Sequence, residues 1–199
     1  AFDSKSFDLV ISFDAPISYT YPHQEQVIQE LVRLAGKRII ISVSSRMGYL
    51  PYLANLLQKN QFILDENCDD SWVRWCVANK DNAVKSFSFD EKAAEKLLAE
   101  GLMGGEKEIA EYEQGGAPWC ITYTFMPDEL RDILSRSGVK NIELAGPGAY
   151  ARTIPNELLV KIMKDPKQRS DFLDFCYRYD TNEFVCGMGK DNLLAKGEL

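Results

Sequence analysis

The spacing of apolar positions changes along the chain, and each change marks an element. Residues 7–13 (FDLVISF) form a short apolar run rich in β-formers, the pattern of a strand buried on both faces. Pro16, Tyr19, Tyr21 and Pro22 interrupt it as a loop. Val27, Ile28, Leu31, Val32 and Leu34 then recur at helical spacing, with Gly36 at the expected C-terminal cap. Residues 38–43 (RIIISV) read as a second buried strand. Strand, helix and strand make a βαβ unit, which predicts parallel strands and a right-handed crossover.

From about residue 47 to 118 the pattern becomes helical and irregular. Tyr49, Leu50, Leu53, Leu56 and Leu57 predict one amphipathic helix. Ser88 and Glu91 form a capping box before a helix with Ala93, Ala94, Leu97 and Leu98 on one face. Gly104, Gly105, Gly115 and Gly116 flank an acidic stretch, read as a solvated helix between hinges. Regular α/β order resumes at Trp119. Pro127 suits the first turn of a helix, with Asp128 and Glu129 near its positive end, Leu130, Ile133 and Leu134 inward, and Gly138 at its end. Residues 141–145 (NIELA) read as a strand. Helices follow near Pro155 and after an Asp165 cap, the latter with Phe172, Leu173, Phe175 and Cys176 as its apolar positions. Residues 192–196 predict a final strand at a sheet edge.

Composition narrows the class. The 199 residues are 45% hydrophobic, enough for a substantial core. A net charge of -7 with no Lys/Arg cluster argues against nucleic acid as a partner. No apolar run is long enough to span a bilayer and the N-terminus lacks a signal-like pattern, so no membrane partner is expected, and a cytoplasmic location is. Five scattered cysteines without a C-x-x-C pair suit reduced thiols, and a single histidine argues against a Cys/His metal site or a Ser-His-Asp triad. No metal is expected.

Several segments, taken in order, resemble the second half of a class I S-adenosylmethionine-dependent methyltransferase of the broad UbiE-like (methyltransferase type 11) group. Residues 1–12 (AFDSKSFDLVIS) resemble that family's F-x-x-x-S-F-D-x-V approach to its fourth strand. Residues 31–34 (LVRL) resemble its E-L-x-R-h helix, with Glu30 and Leu31 as the matching residues, and residues 38–43 its fifth strand. Residues 126–130 (MPDEL), ending at Ser137 and Gly138, resemble the helix before its sixth strand, and Gly187, Gly189 and residues 191–194 (DNLL) its terminal strand. The match covers most of residues 1–58 and 119–199. It implies an α/β, Rossmann-like, mostly parallel sheet with an antiparallel terminal strand, interrupted by a helical insertion at 59–118.

The same resemblance implies S-adenosylmethionine as cofactor and methyl transfer to a small-molecule acceptor. The family's glycine-rich cofactor turn and ribose-binding acid have no counterpart in the 199 residues. The chain is therefore expected to be a part lacking the N-terminal strands, and to be inactive alone. Gly146 and Gly148 mimic the missing turn, but Pro155 interrupts the helix that should follow and no strand ending in an acid comes after, so they read as a turn leaving a strand. By carry-over, Ser12, Phe13 and Asp14 would line the methionine end of the cofactor, with Ile17, Ser18 and Tyr19 toward the transferring methyl. His23 is a candidate general base, with Tyr19 beside it in the catalytic role. Tyr21, Tyr150 and Arg152 would bound the acceptor, Arg152 by pairing with a carboxylate.

Plainer readings stand beside these: Phe13 as core, Asp14 as a turn residue, Tyr19 and Tyr21 as cover for a sheet edge, His23 as a helix start, Arg152 as a surface charge. The insertion reads either as a cover over the acceptor or as permanent scaffold, with Trp72, Trp75 and Phe87 among its apolar residues. The alternative for the whole chain is a non-catalytic interaction module retaining half a methyltransferase fold. With the preceding strands absent, residues 7–13 would form an open edge suited to homodimer formation.

Overall fold

The computed structural model describes residues 2–53, 91–103, 121–189 and 192–199. The chain begins with β1 (Phe7–Ser12), a 3-10 turn (Pro16–Thr20), α1 (Gln24–Leu34) and β2 (Ala35–Ser44). It continues with α2 (Arg46–Leu53), α3 (Glu91–Glu100), β3 (Leu102–Met103) and β4 (Thr122–Tyr123). The last part holds α4 (Pro127–Arg136), β5 (Lys140–Ala145), a 3-10 turn (Ala151–Thr153), α5 (Asn156–Lys164), α6 (Pro166–Asp180), a 3-10 turn (Cys186–Met188) and β6 (Asn192–Glu198).

The main sheet has the order β1-β2-β6-β5. β1 and β2 are parallel, with Val10 opposite Ile39 and Ser12 opposite Ile41. β6 runs antiparallel to both β2 and β5, so β1, β2 and β5 share one direction. This is the mostly parallel α/β sheet with an antiparallel terminal strand expected from the sequence. The terminal strand is not at an edge, however. It lies between β2 and β5, pairing along its length with β2 and over Lys140–Ala145 with β5. Alternation explains the position: Leu193, Ala195 and Gly197 are buried, and both sets of backbone groups find partners.

The edges are β1 and β5. β1 is therefore not buried on both faces: Phe7, Leu9 and Ile11, which share one face, are 40%, 44% and 51% exposed. The apolar run that resembles an interior strand is an edge strand among the described residues.

One face of the sheet carries the core. Ile39, Ile41 and Val43 of β2 and Leu193 and Ala195 of β6 pack with Ile28 and Val32 of α1 and Leu130, Ile133 and Leu134 of α4. A surface pair, Arg136 with Glu25 at 2.9 Å, joins the two helices. α1 ends differently from expectation. Ala35 is already extended (φ -78°, ψ 132°) and begins β2, so Gly36 lies within the strand rather than capping the helix. The chain passes directly from helix to strand and needs no left-handed residue there. At α4 the expected stop holds, with Gly138 at φ 94° just past the helix. The Asp165 cap also holds: its carboxylate accepts from the backbone N–H groups of Lys167 and Gln168, both at 2.9 Å. Of the apolar positions on α6 only Cys176 is buried, while Leu173 and Phe175 are 50% and 41% exposed.

The expected insertion is described only over α3 and β3. Ala94 and Leu97 are the buried apolar side chains of α3 and Leu98 is 47% exposed. Its other predicted features, including the Ser88 capping box, the glycine pairs and the tryptophans, lie outside the described residues. The described part is not purely helical, because β3 pairs antiparallel with β4, Leu102 opposite Tyr123. No helix among the described residues is long and apolar enough to cross a membrane.

Candidate functional site

Because β1, β2 and β5 run the same way, the chain segments following each of them leave at the same end of the sheet. In α/β sheets that end is where ligands settle, since loop side chains and unpaired backbone groups converge there. Ser12 closes β1 half-buried, and Phe13 and Asp14 follow it into solvent, Phe13 at 55% exposure. Asp14 and Ala15 both have left-handed backbones, φ 68° and 52°. For residues with a Cβ this conformation costs about 1–2 kcal/mol each. Two in succession mark a turn held by its surroundings rather than by preference.

The holding groups come from β2. The Ala15 N–H donates to the buried Ser42 hydroxyl at 3.1 Å. The Ser44 N–H donates to the Ser18 hydroxyl at 2.8 Å, and the Ser18 N–H returns to the Ala15 carbonyl at 3.0 Å. Ser18 is fully buried and Ile17, 1% exposed, joins the core. Both were expected to face the ligand, and both are instead turned inward, where they anchor the turn. Phe13 and Asp14 remain outward.

Tyr19 and Tyr21 are 41% and 42% exposed. The Tyr21 ring lies parallel to Tyr123, centroids 6.1 Å apart. His23 precedes α1, exposed, with Nδ1 2.9 Å from the Gln26 side-chain oxygen and its backbone N–H on the Thr20 carbonyl. Tyr150 and Arg152 follow β5, at the same sheet end but three strand spacings from β1, roughly 14 Å across. Tyr150 packs among Phe175, Tyr179 and Phe172, centroids 4.7, 5.0 and 6.0 Å away. Arg152 is half-buried in the 3-10 turn that follows. The fold thus gathers Ser12, Phe13, Asp14, Tyr19 and Tyr21 on one loop and holds Tyr150 and Arg152 apart from them.

The Gly146–Gly148 turn is already filled. Asp180, the last residue of α6, accepts from the Gly148 N–H at 2.8 Å and the Tyr150 N–H at 3.3 Å, while its carbonyl accepts from Gly146. Backbone donors that could cradle an external anion are taken by a carboxylate of the same chain. The reading of this segment as a turn leaving a strand agrees with that geometry.

A second polar group was not legible from the sequence. Arg46, 12% exposed at the side chain, pairs with Glu129 at 3.1 Å and donates to the Thr124 carbonyl at 2.9 Å. The Tyr123 hydroxyl donates to the other Glu129 oxygen, and the Met126 N–H reaches Glu129 at 3.3 Å. The Arg46 guanidinium also lies over the Tyr123 ring at 5.9 Å. Backbone bonds add to the junction: Phe125 N–H to the Ser44 carbonyl and Arg46 N–H to the Phe125 carbonyl. The network therefore braces the carboxyl end of β2 and, through the Tyr21–Tyr123 stack, the loop after β1. Tyr123 and Arg46 stand far apart in sequence, and no local motif announces their meeting.

Burial, aided by the Glu129 hydrogen bond, pushes the Tyr123 phenol up to about 12. Its neutral form is the one favoured by folding. The associated stability is fully present below the ordinary phenol value of about 10 and is lost as pH rises through about 12. Tyrosinate absorbance should show one of the nine tyrosines titrating late. Tyr123→Phe should remove that late step and flatten the loss of stability between pH about 10 and 12. An unchanged titration curve would assign the late step elsewhere.

No protein-family model and no curated protein matches the chain. Among solved structures it is similar to an S-adenosylmethionine dependent methyltransferase from Mesorhizobium loti, at 14% identity and a TM-score of 0.43. It is also similar to phospholethanolamine N-methyltransferase 2 from Haemonchus contortus, a complex with phosphomonomethylethanolamine and S-adenosylhomocysteine, at 10% identity and a TM-score of 0.37. Each likeness covers 100% of this chain, which spans 64% and 35% of those two chains respectively. Likenesses at this level assign neither an activity nor a site residue.

Proposed function

We propose that this chain is the acceptor-side α/β part of an S-adenosylmethionine-dependent methyltransferase, of UbiE-like character, acting on a small molecule. The reading is carried by one observation: Ser12, Phe13, Asp14, Tyr19 and Tyr21 lie on or beside one braced loop with a left-handed turn at the carboxyl end of the parallel strands. An exposed aromatic ring and an exposed carboxylate side by side suit a sulfonium cation, one through its π face and the other through its charge. The residues present thus fit the methionine end of the cofactor.

S-adenosylmethionine, when bound, supplies an activated methyl group, so the protein's task is alignment and exclusion of water. Phe13 and Asp14 would hold the methionine end. Tyr19 and Tyr21 would shape the acceptor side, with Tyr21 kept in place by its stack on Tyr123. His23, hydrogen-bonded to Gln26, would accept a proton where the acceptor must lose one. Tyr150 and Arg152 would close the far side.

Titrating the full-length protein with S-adenosylhomocysteine tests the reading. The expected dissociation constant is micromolar or tighter, about -8 kcal/mol. Phe13→Ala and Asp14→Ala should each weaken it about tenfold. No binding by the full-length protein would overturn the assignment.

A second reading, an interaction module without catalysis, draws on the partly exposed apolar row of Phe7, Leu9 and Ile11 on the edge strand β1. It would be favoured by a protein that forms a dimer through that edge and does not bind S-adenosylhomocysteine.

A further inference from the structure

We propose that Ser42 is a positioning residue for the cofactor loop: it acts on the ligand only through the Asp14–Ala15 turn. The inference rests on the methyltransferase reading and deepens it. Ser42 lies in β2 between Ile41 and Val43, 3% exposed, where an apolar side chain would be expected of a buried strand. A hydroxyl there is unfavourable unless it is hydrogen-bonded. Its partner is the Ala15 N–H, 27 residues earlier, at 3.1 Å.

That N–H belongs to the peptide plane joining two left-handed residues. Fixing the plane fixes the turn of the backbone at Asp14, and with it the direction in which the carboxylate leaves the chain. The same turn is held from its other side, where Ser18 accepts from the Ser44 N–H and donates its own N–H to the Ala15 carbonyl. Ser42 is the only contribution of a β2 side chain to this set of bonds, since Ser44 takes part through its backbone. Without the acceptor, the left-handed pair loses a restraint that offsets its strain and relaxes toward ordinary backbone. Buried as it is, Ser42 does not itself reach a ligand.

The test uses Ser42→Ala in the full-length protein, with Ser42→Cys as a second variant whose somewhat larger thiol fills the site but accepts far more weakly. Calorimetry with S-adenosylhomocysteine should give a dissociation constant about tenfold weaker for either variant. The KM for S-adenosylmethionine should rise in step while kcat at saturation stays within about threefold. Amide exchange should accelerate at Ala15 and Ser18 and stay unchanged along the β2–β6 ladder. Wild-type affinity in both variants would overturn the proposal. So would exchange rising equally across β2 and β6, the mark of a general stability residue. If the wild-type protein itself binds no S-adenosylhomocysteine, the methyltransferase reading fails first and the proposal falls with it.

Discussion

Gly146→Ala should destabilise the protein by about 3 kcal/mol or more, beyond the usual range for a surface turn. Gly146 follows β5 directly, and its Cα is met by the 3-10 turn that leads into β6. A methyl group there would overlap the Cys186 carbonyl and come within 2.9 Å of the Gly189 backbone nitrogen. Both obstacles are main chain, so no side-chain rotation can relieve them. The Gly146 N–H also donates to Asp180 at 2.8 Å, so moving the glycine away breaks a second junction. In a chain of this size the loss corresponds to a fall of roughly 10 °C in Tm. Thermal unfolding followed by circular dichroism measures it. A shift of a degree or two would mean that the two segments can separate without harm, and that the crossing is not a fixed part of the fold.

Glu129→Ala should cost about 3 kcal/mol, with Glu129→Gln closer to 1. Glu129 receives the Arg46 guanidinium, the Tyr123 hydroxyl and the Met126 N–H. Truncation leaves a mostly buried arginine with a carbonyl and a ring face in place of a counter-charge. An amide keeps an acceptor of the same shape, which is why glutamine should be milder. The partial exposure of Glu129, 29%, holds the figure toward the lower end of what broken buried pairs show. Denaturant titration of the two variants separates the charge from the hydrogen bonds. Equal losses would mean that the charge contributes nothing, and no loss in either would place the pair with ordinary surface bridges.

Local features of this fold were readable where adjacent residues decide them. The Asp165 cap, the Pro127 start of α4, its Leu130, Ile133 and Leu134 face and the Gly138 stop all follow from short-range spacing. The candidate loop was readable in part. Phe13 and Asp14 are exposed, whereas Ile17 and Ser18 point inward because their partners lie in the core and on β2, beyond the reach of local pattern. The partnership of Glu129 with Arg46 and Tyr123 was not readable for the same reason, Arg46 and Glu129 being 83 positions apart.

By itself the sequence determined the α/β alternation, the parallel β1–β2 pair, the ends of α4, the cap of α6 and the antiparallel sense of the last strand. These depend on periodicity, caps and a recognisable order of short segments, all of which survive in one dimension. Only the tertiary structure decided that β6 enters between β2 and β5, and that buried serines and a charged network brace the loop after β1. Strand order and side-chain partnership depend on which distant backbone and polar groups remain unpaired once the sheet has formed, and no neighbour in the chain carries that information.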